Sequence, residues 1–300
     1  MHSFLLVFID GIGLGPPGPS NPFATLSLRG FARLAAGQRW TAEAASVDEE
    51  ALVFRSIDAC LGVDGLPQSG TGQATLFTGV NCARLAGRHY GPFPHSSSIP
   101  VIKSESIFAR LAALGLETAF INAYPDVFFT LARKRNRWPV TTRACLESKV
   151  ALRTMSDLRS GRALAADITG EGLRDRFDAD LSTITEAQAA ERFLELAAGK
   201  AFTAFEYFLT DRAGHRKDAQ DAFTRLNSLD AFLGTLSAQV RDAGVTLIVT
   251  SDHGNLENLS VRTHTRNPVP LAALGSASSY FVGVAALTDI VPSILDALSA

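Results

Sequence analysis

The feature that most constrains this 300-residue chain is the stretch 247–255, in which an apolar run ends abruptly in Asp, His and Gly. Residues 245–249 are apolar or β-favouring, which predicts a strand that is buried on both faces. Asp252 and His253 then follow where such a strand leaves the sheet, which is the edge where open α/β sheets place their chemistry. A carboxylate and an imidazole on one tight turn can both bind a metal ion. An ordinary Asx-type turn after a strand is the alternative interpretation.

Length, charge and cysteine content limit the classes of protein to consider. Three hundred residues are enough for one α/β domain with a smaller insertion, and such a chain buries about three quarters of its unfolded surface. The net charge of −2 provides no basic field for nucleic acid. The three cysteines, Cys60, Cys82 and Cys145, are widely spaced and form no CxxC pair, which favours a reducing compartment.

The start of the chain is typical of a strand rather than of a targeting segment. Residues 4–9 are apolar, but the run is short, has no preceding Lys or Arg and leads directly into Asp10. No apolar run approaches the eighteen or so residues of a membrane span. The sequence therefore predicts a soluble, cytoplasmic protein without a membrane or nucleic-acid partner.

A glycine-rich loop follows Asp10 and raises the alternative of a dinucleotide-binding oxidoreductase. Gly13, Gly15 and Gly18 have the spacing of the GxGxxG fingerprint. Two prolines occupy its spacer, where the backbone N–H groups of a helix would hold a pyrophosphate, and proline has no N–H to offer. Binding of a nicotinamide dinucleotide would distinguish this alternative from a metal site that uses Asp10 at the end of a central strand.

The segment 65–81 combines glycines with a threonine near the start of a short predicted helix. Pro67, Gly70 and Gly72 favour a close approach of the backbone, and the spacing from Gly72 to Gly79 is helical. Thr71 would then lie near free N–H groups that attract an anion. A simple N-cap role for Thr71 is the alternative.

Two further histidines follow the last two predicted strands. A strand at 202–209 precedes Asp211 and His215, whose spacing of four residues places both on one face of a helical turn. His264 lies in the loop after the strand that ends at Asp252. Each histidine alone is more typical of a surface or satisfied core position. Together, three Asp, three His and one Thr fall at the ends of predicted strands or in the loops beyond them.

Five ordered motifs carry a resemblance to a known family. They are Asp10-Gly11, Gly70-Thr71-Gly72, Asp211-x-x-Gly214-His215, Asp252-His253-Gly254-Asn255, and Thr263-His264-Thr265 followed by Asn267-Pro268-Val269-Pro270. In this order the chain resembles the alkaline phosphatase superfamily, and within it most closely the cofactor-independent phosphoglycerate mutase and phosphopentomutase branch. The resemblance implies a three-layer α/β/α fold with a mainly parallel sheet and a small inserted cap domain.

The resemblance also implies a site for two divalent metal ions. It assigns Asp211, His215 and His264 to one ion, and Asp10, Thr71, Asp252 and His253 to the other. Two such ions clamp a phosphate and lower the pKa of a coordinated hydroxyl, which would make Thr71 the nucleophile and give a phosphothreonine intermediate. Mixed Asp and His ligands suit Mn²⁺ or Zn²⁺ better than Ca²⁺.

Composition changes between residues 88 and 170, where prolines, serines and a cationic run occur. We interpret 88–170 as the inserted cap and residues 1–87 and 171–300 as the metal-binding core. Arg88, His89, Arg133 and Arg135 are the candidates for substrate contacts, because the cap should cover the metals. A solvated face is the alternative explanation of the cationic run.

The sequence is compatible with more than one reaction at this site. This chain has Thr71 where mutases of the branch use a serine, and its insert is much smaller. We favour hydrolysis of a small phosphomonoester, with a phosphomutase as the close alternative and a metal-binding pseudoenzyme as an alternative of another class. The sequence does not identify the substrate or the oligomeric state.

Overall fold

The computed structural model describes residues 2–300, which form nine strands, fourteen α-helices and two short 3₁₀ helices. The strands are β1 Phe4–Ile9, β2 Val47–Glu49, β3 Leu52–Ile57, β4 Thr118–Phe120, β5 Ala123–Tyr124, β6 Arg153–Thr154, β7 Phe202–Tyr207, β8 Thr246–Thr250 and β9 Val269–Leu274. The helices are α1 Pro22–Thr25, α2 Arg29–Arg33, α3 Ser69–Thr78, α4 Cys82–Ala86, α5 Ser98–Glu105, α6 Ile107–Ala113, α7 Asp126–Arg135, α8 Val140–Glu147, α9 Met155–Arg159, α10 Glu171–Phe177, α11 Glu186–Ala197, α12 Leu209–Arg216, α13 Ala219–Gln239 and α14 Ile290–Ser299. The 3₁₀ helices are Ser278–Phe281 and Leu287–Asp289.

Seven strands form the main sheet in the order β2-β3-β9-β8-β1-β7-β4. The prediction of a mainly parallel sheet is wrong for one half of it. Strand β1 pairs in parallel with β7 and β8, and β4 pairs in parallel with β7, whereas β8–β9, β9–β3 and β3–β2 are antiparallel. The chain between β8 and β9 contains no helix, and a parallel return requires a crossover of a dozen or more residues that is usually helical. Strand β9 therefore returns antiparallel.

The central strand β1 divides its side chains between two cores, as the period of two in a strand requires. Every second residue from Leu5 to Ile9 packs in a core with helices α11 and α13. The alternate residues, from Phe4 to Phe8, pack in a second core with helices α3, α6 and α14. Both faces of the sheet are thus covered by helices, and the predicted three-layer α/β/α class is confirmed.

The segment 88–170 is divided between the main fold and a smaller unit. Strand β4 extends the main sheet beside β7, and α8 packs against α3. Strands β5 and β6 form a separate two-stranded sheet, and the chain around it has a small core of its own that includes Met155, Leu158 and Leu181. A cap with boundaries at 88 and 170 therefore stays a prediction, and we propose a smaller cap built around β5, β6, α9 and α10.

The order β8-β1-β7 places three parallel strands side by side at the centre of the sheet, so that their carboxyl ends meet at one edge. This is the edge at which open α/β folds bind ligands. Within residues 2–300, no helix combines the length and the apolar composition that crossing a membrane requires.

Candidate metal centre

The chain elements at this edge bring six predicted ligands together. Asp10 directly follows β1, and Asp252 and His253 follow β8 after one intervening residue. Helix α12, which begins soon after β7, carries Asp211 and His215 one turn apart. The sixth ligand, His264, enters from the loop that precedes β9. Because these elements are neighbours in the fold, residues as far apart in sequence as Asp10 and His264 share one site.

The first group of ligand atoms surrounds Asp211. His215 Nε2 lies 3.3 Å from Asp211 Oδ2, and His264 Nε2 lies 3.5 Å from Asp211 Oδ1. The two Nε2 atoms of His215 and His264 are 3.1 Å apart. The other ring nitrogen of each histidine is held by a backbone carbonyl, that of Arg262 for His215 and that of Pro67 for His264. These contacts orient both Nε2 atoms toward Asp211, and metal-bound histidines are held by the same kind of hydrogen bond at the ring nitrogen that does not bind the metal.

The second group surrounds His253, which is fully buried. His253 Nε2 lies 3.3 Å from Asp10 Oδ1 and 3.6 Å from Asp252 Oδ2. The His253 ring stacks on that of His264 with centroids 3.8 Å apart, so the two groups adjoin. Ligand atoms of Asp211, His253 and His264 also lie within 4.8 Å of one another, and so do those of Asp10, Asp252 and His253. His253 can therefore serve either group.

Glu257, which the sequence analysis missed, holds the loops of the centre in place. Its carboxylate accepts hydrogen bonds from the backbone N–H of Gly13 at 2.9 Å and of Asn255 at 2.7 Å, and from the Thr265 hydroxyl. A Cβ at Gly13 or at Gly254 would lie 2.5 or 2.3 Å from Glu257 Oε1. These glycines permit this close packing, and no helix follows Gly13 before Pro22, unlike in a dinucleotide site. A lone Glu in a loop gave no sequence signal.

The buried carboxyl groups of this centre have strongly shifted pKa values. Burial, followed by the negative charges of neighbouring carboxylates, raises the pKa of Asp10 and of Asp252 well above the usual range. Burial also opposes ionisation of Asp211, but hydrogen bonds from His215 and His264 lower its pKa overall. Three carboxyl groups packed this closely require positive charge to ionise together.

The histidines and the unpaired oxygens fit divalent cations. Burial and then the charge of His264 lower the pKa of His253 to about 3, so its ring is neutral and free to donate a lone pair. The hydrogen bond to Asp211 raises the pKa of His215 to about 8. Asp10 Oδ1 and Asp252 Oδ2 are buried and have no hydrogen-bond partner among the described residues. Buried carboxylate oxygens without donors, beside the neutral imidazole of His253, are a donor set that suits a transition metal or zinc.

A serine hydroxyl, and not the predicted Thr71 hydroxyl, adjoins this cluster. Ser69 is the first residue of α3, and its Oγ lies 3.0 Å from His253 Nε2. Thr71 is fully buried, and its Oγ accepts a hydrogen bond from the Tyr90 N–H at 3.1 Å and donates to the Gln68 carbonyl at 3.3 Å. The role of Thr71 as a metal ligand and nucleophile stays a prediction, and these contacts favour Ser69. The Thr71 side chain ties α3 to the loop at residue 90.

A cavity of about 570 Å³ adjoins the cluster. Asp10, Ser69, Gln73 and Asp211 line part of its wall, whereas Thr71 does not. Gln73 donates a hydrogen bond of 3.2 Å to Asp10 Oδ2 and so fixes that carboxylate beside the cavity. A ligand in this cavity therefore has direct access to the Ser69 hydroxyl and to the metal-binding carboxylates.

Known proteins resemble the chain in both sequence and fold. A family model described as the metalloenzyme superfamily matches residues 178–300. The 2,3-bisphosphoglycerate-independent phosphoglycerate mutase of Halobacterium salinarum is 37% identical over 100 residues, which cover 31% of this chain and 20% of that relative. Alkaline phosphatase from the Antarctic bacterium TAB5 superposes with a TM-score of 0.56 at 15% identity, over 99% of this chain and 97% of that one.

The chain thus has the fold of alkaline phosphatases, and its residues 178–300 resemble the metalloenzyme superfamily. A phosphoglycerate mutase of Leishmania mexicana has the same fold, with a TM-score of 0.53 at 12% identity over 99% of this chain and 95% of that one. The chain spans no more than a quarter of the length of the curated mutases that it matches in sequence. The superfamily supports divalent metal ions at the site, and it does not distinguish Mn²⁺ from Zn²⁺.

The four predicted substrate contacts do not line the cavity. The Arg88 guanidinium packs over the Tyr90 ring, and His89 Nε2 contacts the Val63 carbonyl at 3.2 Å. Arg133 and Arg135 are exposed at the end of α7. Four other arginines line the cavity instead, and they are Arg176, Arg212, Arg216 and Arg225. Two of them lie on α12 beside the ligands Asp211 and His215, a proximity that the sequence already contained.

One further cavity residue escaped the sequence analysis. Glu206, in strand β7, is 5% exposed and accepts a hydrogen bond of 2.7 Å from the Thr141 hydroxyl. Burial raises the pKa of Glu206 to about 7. Glu206 lies inside an apolar strand, whereas the sequence pattern pointed only to polar residues that follow the ends of strands.

Proposed function

We propose that the chain catalyses metal-dependent phosphoryl transfer with Ser69 as the nucleophile, and that the reaction is hydrolysis of a phosphomonoester. The observation that carries the proposal is the Ser69 hydroxyl, which lies 3.0 Å from His253 Nε2 and lines the cavity beside Asp10 and Asp211. The resemblance to this superfamily supports phosphoryl transfer as the class of reaction.

The six Asp and His side chains described above would hold the cations. Bound divalent cations would neutralise phosphate charge and lower the pKa of a neighbouring hydroxyl. The chain contributes the positions of the groups: Glu257 fixes the loops and Gln73 orients Asp10. The side-chain amide of Asn255 donates a hydrogen bond of 2.6 Å to Asp211 Oδ1 and so orients that carboxylate.

Ser69 is suited to attack a phosphoryl group bound at this place. It is the first residue of α3, where the helix dipole favours an anion. A new bond from Ser69 Oγ to phosphorus would form as the bond from phosphorus to the substrate oxygen breaks. The serine proton passes to solvent, and the alcohol leaves after taking up a proton. Attack of water on the phosphoserine then releases inorganic phosphate and restores the serine.

Hydrolysis is favoured over mutase chemistry by the exposure of the cavity wall. A mutase must exclude water while it returns the phosphoryl group to the same substrate. Two lining residues, Val127 and Phe177, are 44% and 51% exposed, so water reaches the cavity. The mutase alternative rests on the names of the sequence relatives, which this chain matches over a small part of their length.

The experiment compares Ser69→Ala with Thr71→Val in the presence of Mn²⁺ or Zn²⁺. We expect the wild type to release phosphate from p-nitrophenyl phosphate, and Ser69→Ala to lower kcat by roughly a thousandfold or more. Thr71→Val keeps the volume of a buried side chain and loses one hydroxyl, so most activity should remain. Acid quenching followed by mass spectrometry should find phosphate on Ser69. Activity that survives in Ser69→Ala and disappears in Thr71→Val would assign the nucleophile to Thr71.

A further inference from the structure

The cavity beside Ser69 is larger than a phosphoryl group and a short polar alcohol require. Its volume is about 570 Å³. Cavities of roughly 300–1,000 Å³ typically enclose ligands of the size of a drug molecule. Since Asp10, Ser69 and Asp211 line this same cavity, the leaving group of any ester that reacts at Ser69 has to occupy the rest of it.

One part of the cavity wall is apolar and partly exposed. Helix α7 contributes Val127, Phe128 and Leu131, and helix α10 contributes Leu173 and Phe177. Val127, Leu131 and Phe177 are each more than 40% exposed, although large apolar side chains are ordinarily buried. Apolar side chains that remain exposed together around a concave surface indicate a binding site. This wall fits a leaving group with an aromatic or branched aliphatic body.

Another part of the wall carries positive charge that is largely unpaired. Arg225 pairs with Asp221 at 3.0 Å, but Arg176, Arg212 and Arg216 form no salt bridge within the described residues. Asp167 also lines the cavity, and its carboxylate accepts the N–H groups of neighbouring residues 170 and 172.

The arginines also act on one another. Arg176, Arg212, Arg216 and Arg225 all line this one cavity, so their positive charges repel one another. Like charges held around one cavity are relieved by an anionic ligand, and guanidinium groups bind carboxylate and phosphate in two-point contacts.

We propose that the substrate is a phosphomonoester whose leaving group is bulky and mainly apolar and carries a second anionic group, such as a carboxylate, that binds the arginines. The inference rests on the proposed function, because it places the reacting phosphoryl group at Ser69. A competing explanation is that the arginines bind the reacting phosphoryl group itself. The two explanations differ in which substrates an arginine variant would affect.

The first experiment compares three esters of primary alcohols, so that the leaving groups have similar reactivity. They are ethyl phosphate, benzyl phosphate and 4-carboxybenzyl phosphate, each assayed with Mn²⁺ or Zn²⁺. We expect kcat/KM to rise by about tenfold from ethyl to benzyl, and by about tenfold again on adding the carboxylate, as one well-placed contact gives. Equal kcat/KM values for all three esters would overturn the proposal and leave the proposed function intact.

Variants then test the cationic part and the apolar part of the cavity wall separately. Arg176→Gln should lower kcat/KM for 4-carboxybenzyl phosphate about tenfold and leave benzyl phosphate within twofold, and Arg174→Gln on the same helix but outside the cavity is the matched control. Phe177→Ala should lower kcat/KM for both benzyl esters and leave that for ethyl phosphate unchanged, with the exposed Leu85→Ala as its control. Equal losses for benzyl and 4-carboxybenzyl phosphate in Arg176→Gln would show that the arginine binds the reacting phosphoryl group, and would overturn the proposal.

A binding measurement separates failure of this inference from failure of the proposed function. Calorimetry on the metal-loaded protein would compare ethylphosphonate, benzylphosphonate and 4-carboxybenzylphosphonate, which cannot be hydrolysed. Binding that strengthens in this order, in a protein that turns over none of the esters, would support the inference and contradict hydrolysis. Equal affinities for the three phosphonates would overturn the inference whether or not the esters are hydrolysed.

Discussion

Replacement of Glu206 by Gln should make the protein less sensitive to pH. Glu206 is buried in β7 beside the metal centre, and the hydroxyl of Thr141 donates a hydrogen bond to its carboxyl group. Burial raises its pKa from 4.5 to about 7, because the ionised form loses more hydration than this one hydrogen bond returns. Gln has nearly the same shape, keeps an oxygen that can accept from Thr141, and cannot ionise.

The sign and size of the effect follow from the shift in pKa. A carboxyl group whose pKa is raised on folding favours the folded state fully below pH 4.5, and this contribution is lost as the pH rises through about 7. A shift from 4.5 to about 7 corresponds to about 3 kcal/mol in the free energy of unfolding, at about 1.4 kcal/mol for each pKa unit. Wild type should therefore lose about 3 kcal/mol relative to Glu206→Gln between pH 4 and pH 8.

The assay is urea unfolding of the metal-free protein, in EDTA, at intervals from pH 4 to pH 8. The difference in unfolding free energy between Glu206→Gln and wild type should grow with pH up to about 7 and then level off. Other titrating groups are shared by both proteins and largely cancel in the difference. Glu195→Gln, at an exposed position on α11, corrects for the loss of one negative charge. A constant difference across the range would show that Glu206 is not held in an apolar environment, and would refute the reasoning.

Three further outcomes are expected. Mn²⁺ or Zn²⁺ should raise the thermal midpoint of the EDTA-treated protein, because the cations neutralise Asp10 and Asp252, and a scan that shows no shift would contradict the metal site. Gly254→Ala should weaken metal binding in calorimetry, because its Cβ would lie 2.3 Å from Glu257 Oε1, and unchanged affinity would contradict the close packing. Phe193→Ala should lower the urea-unfolding free energy by about 3–5 kcal/mol and leave metal affinity unchanged, since Phe193 packs in the core of α11 and α13.

The six Asp and His side chains that the fold brings together could be found from the sequence because several of them mark a change in local pattern. Asp10 and Asp252 each follow a run of buried strand residues, and the spacing of Asp211 and His215 fits one helical turn. The mixed sheet could not be read in the same way. Strand β9 is as apolar as a parallel strand, and its direction depends on the absence of a helix between it and β8.

The choice between Ser69 and Thr71 depends on the phase of a helix, which composition does not reveal. Two residues that are two positions apart point roughly 200° apart around a helix axis, so only one can face the metal centre. Helix α3 begins at Ser69, and this start directs Ser69 to His253 and Thr71 to the loop at Tyr90. A helix that began near Gly72, as the sequence pattern predicts, would favour Thr71, whereas the observed start at Ser69 favours the Ser69 hydroxyl.

The four candidates for substrate contacts were chosen because the cap should cover the metals, and none of them lines the cavity. The cationic end of α7 is exposed to solvent. Arg133 and Arg135 lie in its last turn, where positive charge is stabilised by the helix dipole and by water. The apolar residues of the same helix, including Phe128, line the cavity instead. Arginines that face the cavity are spread over α10, α12 and α13, and no local window of sequence contains all of them.

The two halves of the site therefore differ in what relatives can reveal about them. The matched family region, residues 178–300, contains five of the six Asp and His ligands and also Glu257. Ser69 and the apolar wall of α7 and α10 lie outside that region. The segment that matches the family model thus contains most of the candidate metal ligands, whereas the surfaces that we propose to contact the leaving group lie in segments without that match. Because selectivity depends on those surfaces, the substrate has to be inferred from this cavity and tested on this chain, and the mutase names of the relatives do not transfer to it.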